Sequence, residues 1–429
     1  MEFELDSGNT AFMLTAASLV LLMTPGLAFF YGGMVRGKSV LNMMMMSFGA
    51  IGVAGLIWVL YGYSAVFGGD LGGGWLGNPF EFFGLQGATD DQSLMAASGV
   101  PFLVAAGYQA TFAIITVALI SGAVADRMKF GAWLVFTAVW VTVVYLPLAH
   151  WVWGGGLLSA TGLTEGLSTP IDFAGGTVVH INAGTAGWCS PSCSASAAAS
   201  ARRPCGPTTC RSSCWAQLLW FGWFGFNAGS EFAADNVAGR AWLNTLLATG
   251  IAMLAWLATE KVRDGHATSL GAASGIVAGL VAITPAAAAV DTWGAIAIGI
   301  VAGVLCALAV GLKFRFGYDD SLDVVGVHLV GGLVGTILIG FFATDANSTW
   351  YPDGAQNGLF YGGGLTQLAT QTIVALAAVL FSFTATYVIA LILKATIGLR
   401  VSDEAEVGGI DLAVHAETAY ETLASAPAS

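Results

Sequence analysis

Eleven long apolar stretches, separated by short polar ones, set the reading of this chain. They fall at about residues 10–35, 41–67, 98–122, 130–152, 172–200, 215–233, 237–259, 267–285, 293–312, 321–343 and 357–393. Each is close to or beyond the roughly 20 residues that carry a helix across a hydrocarbon core of about 30 Å. The short alternating segments that an outer-membrane barrel requires do not appear. The pattern predicts an all-α polytopic membrane protein with eleven transmembrane helices.

Basic residues test that count independently. Arg36 and Lys38 follow the first stretch, Arg127 and Lys129 the third, and Arg202, Arg203 and Arg211 the fifth. Lys261 and Arg263 follow the seventh, Lys313 and Arg315 the ninth, and Lys394 and Arg400 the eleventh. With eleven spans, 13 of the 14 basic residues share one side and only Arg240 lies on the other. The positive-inside rule makes the shared side cytoplasmic, so the N-terminus is predicted outside and the C-terminus inside. Acidic residues sort the opposite way. The outer side sums to −13 and the inner to +1, which together give the net charge of −12. An acidic outer face concentrates cations, and it also keeps outer loops soluble.

Composition agrees. With 56% hydrophobic residues, 9% charged and a mean hydropathy of +0.76, the chain has too little polar surface for a soluble domain of this length. The 58 glycines suit helices packed at close range. A net negative charge argues against a nucleic-acid partner. Residues 1–10 carry Glu2, Glu4 and Asp6 where a secretory signal has basic residues, so the first stretch reads as a retained span.

An inverted repeat links the fifth and tenth stretches. Asp172, His180, Gly184 and Gly187 are spaced like Asp320, His328, Gly332 and Gly335, as Asp-x7-His-x3-Gly-x2-Gly. The fifth stretch runs inward and the tenth outward, so five spans plus five inverted ones, with an eleventh added, is the architecture expected. Such repeats place their site near the midplane. An ionisable residue within a span usually faces the bundle interior and marks a solute or proton path. Satisfied neutral histidines are the plainer alternative, and the symmetric pairing speaks against it. Two imidazoles are also half of a zinc site, but no nearby third and fourth ligands stand in the sequence. Asp172 lies ~12 Å along a helix axis from His180; it can cap that helix or coordinate a cation directly, and capping is the expectation. Trp151 and Trp153 read first as interfacial aromatics. With Ser230 at the same outer end, an indole face and a hydroxyl suit an ammonium-like cation.

At these residues the chain resembles the Amt/MEP/Rh family of ammonium transporters, most closely its bacterial Amt branch, and the resemblance covers nearly all of the chain. Pro25-Gly26-Leu27-Ala28-Phe29-Phe30-Tyr31-Gly32-Gly33 is similar to the family's first-span signature. Asp172-Phe173-Ala174-Gly175-Gly176-Thr177-Val178-Val179-His180-Ile181-Asn182 is the most specific match. Trp223-Phe224-Gly225-Phe226-Asn227-Ala228-Gly229-Ser230, Gly326-Val327-His328 and Gly398-Leu399-Arg400-Val401 add to it.

The resemblance implies an ammonium or ammonia pathway in the cell (inner) membrane. Phe112, Trp153 and Ser230 would form the outer cation site, and Phe112 and Phe226 a stacked gate beneath it. His180 and His328 would be the paired pore histidines, with Trp223, Leu27 and Phe30 lining the pore and Asp172 supporting the outer site. It also implies a homotrimer with one pore per subunit. A PII-type signal protein is expected at the cytoplasmic face, near Arg263 and the tail. The membrane domain is expected over residues 1–398, with repeats at about 10–200 and 215–343, the eleventh helix at about 357–398 and a tail at 399–429. No cofactor is implied.

Residues 188–214 depart from the family pattern. They hold five of the six cysteines with many Ser, Pro and Arg, where the inner end of the fifth span belongs. Their spacing fits no standard zinc site, and the cytoplasm disfavours disulfides. Read one nucleotide earlier, Gly187 to Cys193 permits an apolar run, so a local frameshift restored near residues 215–218 is the hypothesis; an independent nucleotide sequence with an unbroken frame would remove it. Rival functions fit less well. A pore for water or urea needs no paired histidines. An ammonium sensor lacks an output domain in the short tail. An intramembrane hydrolase lacks a nucleophile–base pair or metal set.

Overall fold

A computed structural model describes residues 3–189, 209–346 and 351–420, those of 209–214 by backbone alone. Among the described residues, nine helices are long and apolar enough to cross a membrane. These are α1 (Ser7–Met34), α2 (Val40–Phe67), α3 (Phe102–Ile120), α4 (Phe130–Trp153), α7 (Asn236–Asp264), α8 (Ser269–Ala286), α9 (Thr292–Phe316), α10 (Val325–Phe342) and α11 (Thr366–Thr396). The fifth predicted stretch appears as α5, a π turn Gly176–Ile181 continuing as Asn182–Cys189, and the sixth as α6, Thr209–Ala228. The cysteine segment singled out in the sequence lies outside the described residues over 190–208, as do positions 421–429 of the tail.

Helix limits differ from the apolar pattern where special residues stop the chain. α5 begins at Gly176 rather than at Asp172, because Asp172 collects backbone N–H groups and Gly175 turns the chain at φ 108°. The sixth stretch was expected to reach 233; α6 ends at Ala228, and the turn Gly229–Glu231 leads to Phe232 at φ 66°. The eleventh was expected from 357, but Gly362 and Gly364 at φ 82° and 70° hold that segment out of the helix until Thr366. Left-handed backbone of this kind terminates helices.

Among the described residues, four of these helices contain a π turn: Trp58–Gly62, Val141–Tyr145, Gly176–Ile181 and Val325–Leu329. The last two carry His180 and His328, and single π turns recur at functional positions. Each follows the aspartate of the repeat. Asp172 accepts from the N–H groups of Gly175, Gly176, Thr177 and Val178 at 2.6–3.2 Å. Asp320 accepts from Val324 and Val325 at 2.9 and 2.8 Å. Both carboxylates satisfy orphan donors at a helix start. Asp172 stands beside Trp153 and Asp320 beside Lys313, at opposite ends of the bundle. The end bearing Asp172 is termed outer, following the charge pattern.

The glycines after each histidine let the two broken helices cross. A Cβ on Gly184 would sit 2.7 Å from Leu329 Cα, and one on Gly332 would sit 3.0 Å from Ile181 N. Elsewhere α1 packs on α6 through Gly26, Gly222 and Gly225, so the leading helix of one predicted half meets that of the other. A short outer hairpin, β1 (Asp70–Leu71) with β2 (Leu76–Gly77), follows α2.

Candidate functional site

The aromatic residues predicted for the gate meet at the outer end. Phe112 on α3 and Phe226 on α6 stack with ring centroids 4.2 Å apart and planes at 19°. Both are buried. Trp153, at the last position of α4, meets Phe112 edge-on at 6.1 Å and 83°. Its Nε1 donates to Asp172 O at 3.0 Å, which fixes the plane of the indole. Ser230, just past α6, donates through Oγ to Phe226 O at 2.9 Å. Tyr108, one turn before Phe112, places its hydroxyl 2.9 Å from Phe226 O, 3.1 Å from Gly225 O and 3.3 Å from Ser230 Oγ. With the Ser230 proton spent on a carbonyl, its oxygen keeps lone pairs for an incoming N–H donor.

Beneath the gate the two imidazoles meet. His180 Nδ1 and His328 Nδ1 lie 3.3 Å apart, both side chains nearly fully buried. A contact between two Nδ1 atoms needs one proton, so one ring is the Nδ1–H tautomer and the other, when neutral, carries its proton on Nε2. Trp223 stacks on His180 at 5.3 Å and 21°, and its own N–H is taken by Thr284 Oγ1 at 2.8 Å. The indole thus shows the path a face and not a donor. His180 Nε2 is buried and has no partner among the described residues.

A narrow cavity surrounds the imidazoles and reaches Phe226 of the stacked pair. Leu27, Phe30, His180, Trp223, Phe226 and His328 all line it, so the predicted pore residues converge. Met23, Ile115, Leu119, Val179, Leu219 and Val277 complete the lining and were not singled out in the sequence. The signal for most of them is helical spacing from residues that were: Met23, Leu27 and Phe30 on α1, Phe112, Ile115 and Leu119 on α3, and Leu219, Trp223 and Phe226 on α6. Apart from the two imidazoles the lining is apolar. Asp172 has both oxygens committed to backbone amides, which is the capping role rather than direct coordination of a cation. Among the described residues no cluster of three His, Cys, Asp or Glu side chains forms a metal site.

Comparison with known proteins points to one family. The model of the Ammonium Transporter Family matches residues 11–420. An ammonium transporter of Mycobacterium tuberculosis (strain ATCC 25618 / H37Rv) is 54% identical, over 97% of this chain and 91% of the relative. The crystal structure of Saccharomyces cerevisiae Mep2 is 33% identical and superposes with a TM-score of 0.84, covering 93% of this chain and 90% of that one. A structure described as "Sensor Amt Protein" is 26% identical with a TM-score of 0.82, over 95% and 98% of the two chains. The fold is that of a membrane transporter. The chain belongs to the ammonium transporter family.

Proposed function

We propose that this protein carries ammonium nitrogen across a membrane by binding ammonium outside, removing a proton and passing ammonia along the histidine-lined path. The observation that carries the reading is the order of parts from the outer end inward: a cation-suited aromatic mouth, a phenyl stack, then two mutually bonded imidazoles in an apolar cavity. Ammonium approaches the Trp153 and Phe112 rings by cation–π attraction, worth about 0.5–2 kcal/mol. Ser230 Oγ accepts one of its N–H bonds. Potassium has a similar size and charge but no proton to surrender, so a site that demands deprotonation rejects it. An intact charge is costly in the apolar path below, whereas ammonia is neutral. Phe112 and Phe226 must swing apart for each passage, since their stacked rings leave no gap. The relayed proton fits the imidazole pair, whose members differ in tautomer and exchange donor and acceptor roles. Nothing is transformed beyond this proton exchange, and the protein is not an enzyme.

The same reading takes the eleven-span, five-plus-five inverted topology with the N-terminus outside, in the inner membrane of a bacterial cell. It takes a homotrimer with one pore per subunit, and a PII-type signal protein bound at the cytoplasmic face. Support for that face comes from the basic loops and from the tail, which packs across it. Ammonium-evoked current in proteoliposomes holding the full chain tests the reading, with potassium as control. A saturable ammonium current without a potassium current is expected and means that a proton accompanies ammonia. Equal currents for both cations would overturn the deprotonation step. Ammonium uptake without current would keep transport and remove the accompanying proton.

A further inference from the structure

We propose that His150 is a positioning residue for the outer cation site, holding Trp153 in place through a latch to Asp70. His150 lies on the last turn of α4, three residues before Trp153, and is fully buried. Its Nδ1 stands 2.7 Å from Val66 O, and its Nε2 stands 3.2 Å from Asp70 Oδ1. A carbonyl oxygen only accepts, so Nδ1 carries a proton. A carboxylate also only accepts, so the second contact is attractive when Nε2 is protonated as well. The N–H groups of Gly73 and Gly74 donate to Asp70 at 3.1 and 2.8 Å, which favours its ionised form. The latch is therefore an imidazole–carboxylate contact whose carboxylate is 42% exposed and open to water.

The pair is not isolated. Trp151 Nε1 donates to Trp75 O at 3.0 Å, and Leu157 N donates to Gly74 O at 3.1 Å. The Trp75 and Trp151 rings meet edge-on at 5.1 Å. These contacts sew the outer end of α4 to the hairpin after α2. Space for the imidazole exists because residue 154 is glycine: a Cβ there would lie 2.5 Å from His150 Nδ1. From the turn beyond its ring the indole of Trp153 reaches Phe112 and Asp172. Asp70 is the charged group that faces the imidazole. Glu81, on the same outer loop, is engaged with Gly69 N–H at 2.6 Å.

The role rests on the transport reading and predicts an effect on substrate affinity. Asp70→Ala removes the acceptor that His150 Nε2 faces, whereas Asp70→Asn keeps a polar partner at that distance. Saturable ammonium uptake by the full chain in proteoliposomes is measured for the native protein and both variants at one pH. The half-saturating concentration is expected to rise about three- to tenfold in Asp70→Ala, with the maximal rate changing by about twofold at most. Asp70→Asn is expected to return it to within about twofold of the native value. A native half-saturating concentration in Asp70→Ala, or an Asp70→Asn protein as impaired as Asp70→Ala, would overturn the role. Absence of saturable uptake in the native protein would remove the transport reading, and this role with it.

Discussion

Gly184 and Gly332 shape the site by what they lack. The imidazoles meet at 3.3 Å because two broken helices cross at a distance that leaves no room for a Cβ at Gly184 and little at Gly332. Gly184→Ala would drive a methyl group into the backbone of Leu329, beside His328. Backbone cannot swing away as a side-chain end can, so the helices must separate by some tenths of an ångström. Overpacking of this kind costs about 1–3 kcal/mol. The expected outcome is a lower unfolding midpoint in detergent and weakened ammonium transport, with the protein still inserted. Gly107→Ala, where the added methyl meets open space, is the matched control and should change neither. A Gly184→Ala protein as stable as the native one would mean that the crossing has slack.

At the scale of elements, the turn after α3 is tied to the segment between α9 and α10 by hydrogen bonds and by a buried ion pair. Arg127 Nη1 lies 2.8 Å from Asp319 Oδ2, with side chains 8% and 9% exposed. Burial raises the Asp319 carboxyl above its ordinary range, and Arg127 is the first charge that opposes the rise. Arg127→Met would leave the carboxylate without that charge, at a cost of about 3–5 kcal/mol near neutral pH. The Asp319 pKa would then climb further. A folded pKa above the unfolded one gives stability that is present at acid pH and lost as pH rises through the folded value. The deficit of Arg127→Met should therefore shrink between about pH 7.5 and 4, and adding Asp319→Asn should recover part of it at pH 7.5. Unfolding followed by tryptophan fluorescence at both pH values checks this. Such ties mark the limit of what the sequence reveals. The paired histidines, their aspartate caps and the glycines after them were legible because the repeat writes them within sixteen residues at each of its two places in the chain. Helix ends at Phe232, Gly362 and Gly364 were not, since apolar composition continues where the backbone turns. The latch of His150 was not legible either, because its partner Asp70 stands 80 positions away and only the fold brings them together.

Across the whole molecule, the longest reach in sequence is the tail's return to the first loop. Asp411, buried to 1% exposure, accepts from Leu41 N and Asn42 N at 3.0 and 2.8 Å. It thereby caps α2 from 370 residues away, where Ser39 makes no side-chain cap of its own. His415 Nε2 adds a bond to Asn42 Oδ1 at 3.1 Å, and its ring meets Phe130 edge-on at 5.2 Å. Lys38 Nζ donates to Val407 O, while Leu399 O and Arg127 O accept from Lys129 N and Val401 N. The inner ends of α2, α3 and α4 are thus bound to one strip of tail, although none of these contacts touches the pore. Asp411→Asn offers one acceptor oxygen where the carboxylate offers two, so one amide at the start of α2 loses its partner. A lost cap costs about 0.5–2 kcal/mol, which should increase the undocked tail roughly two- to thirtyfold. Amide exchange over residues 402–416 should quicken by that factor, while amides of α5 and α10 beside the histidines keep their native rates. If α5 and α10 quickened equally, docking of the tail and packing of the pore would be one cooperative unit, and the tail would be part of the channel's core rather than a strap upon it.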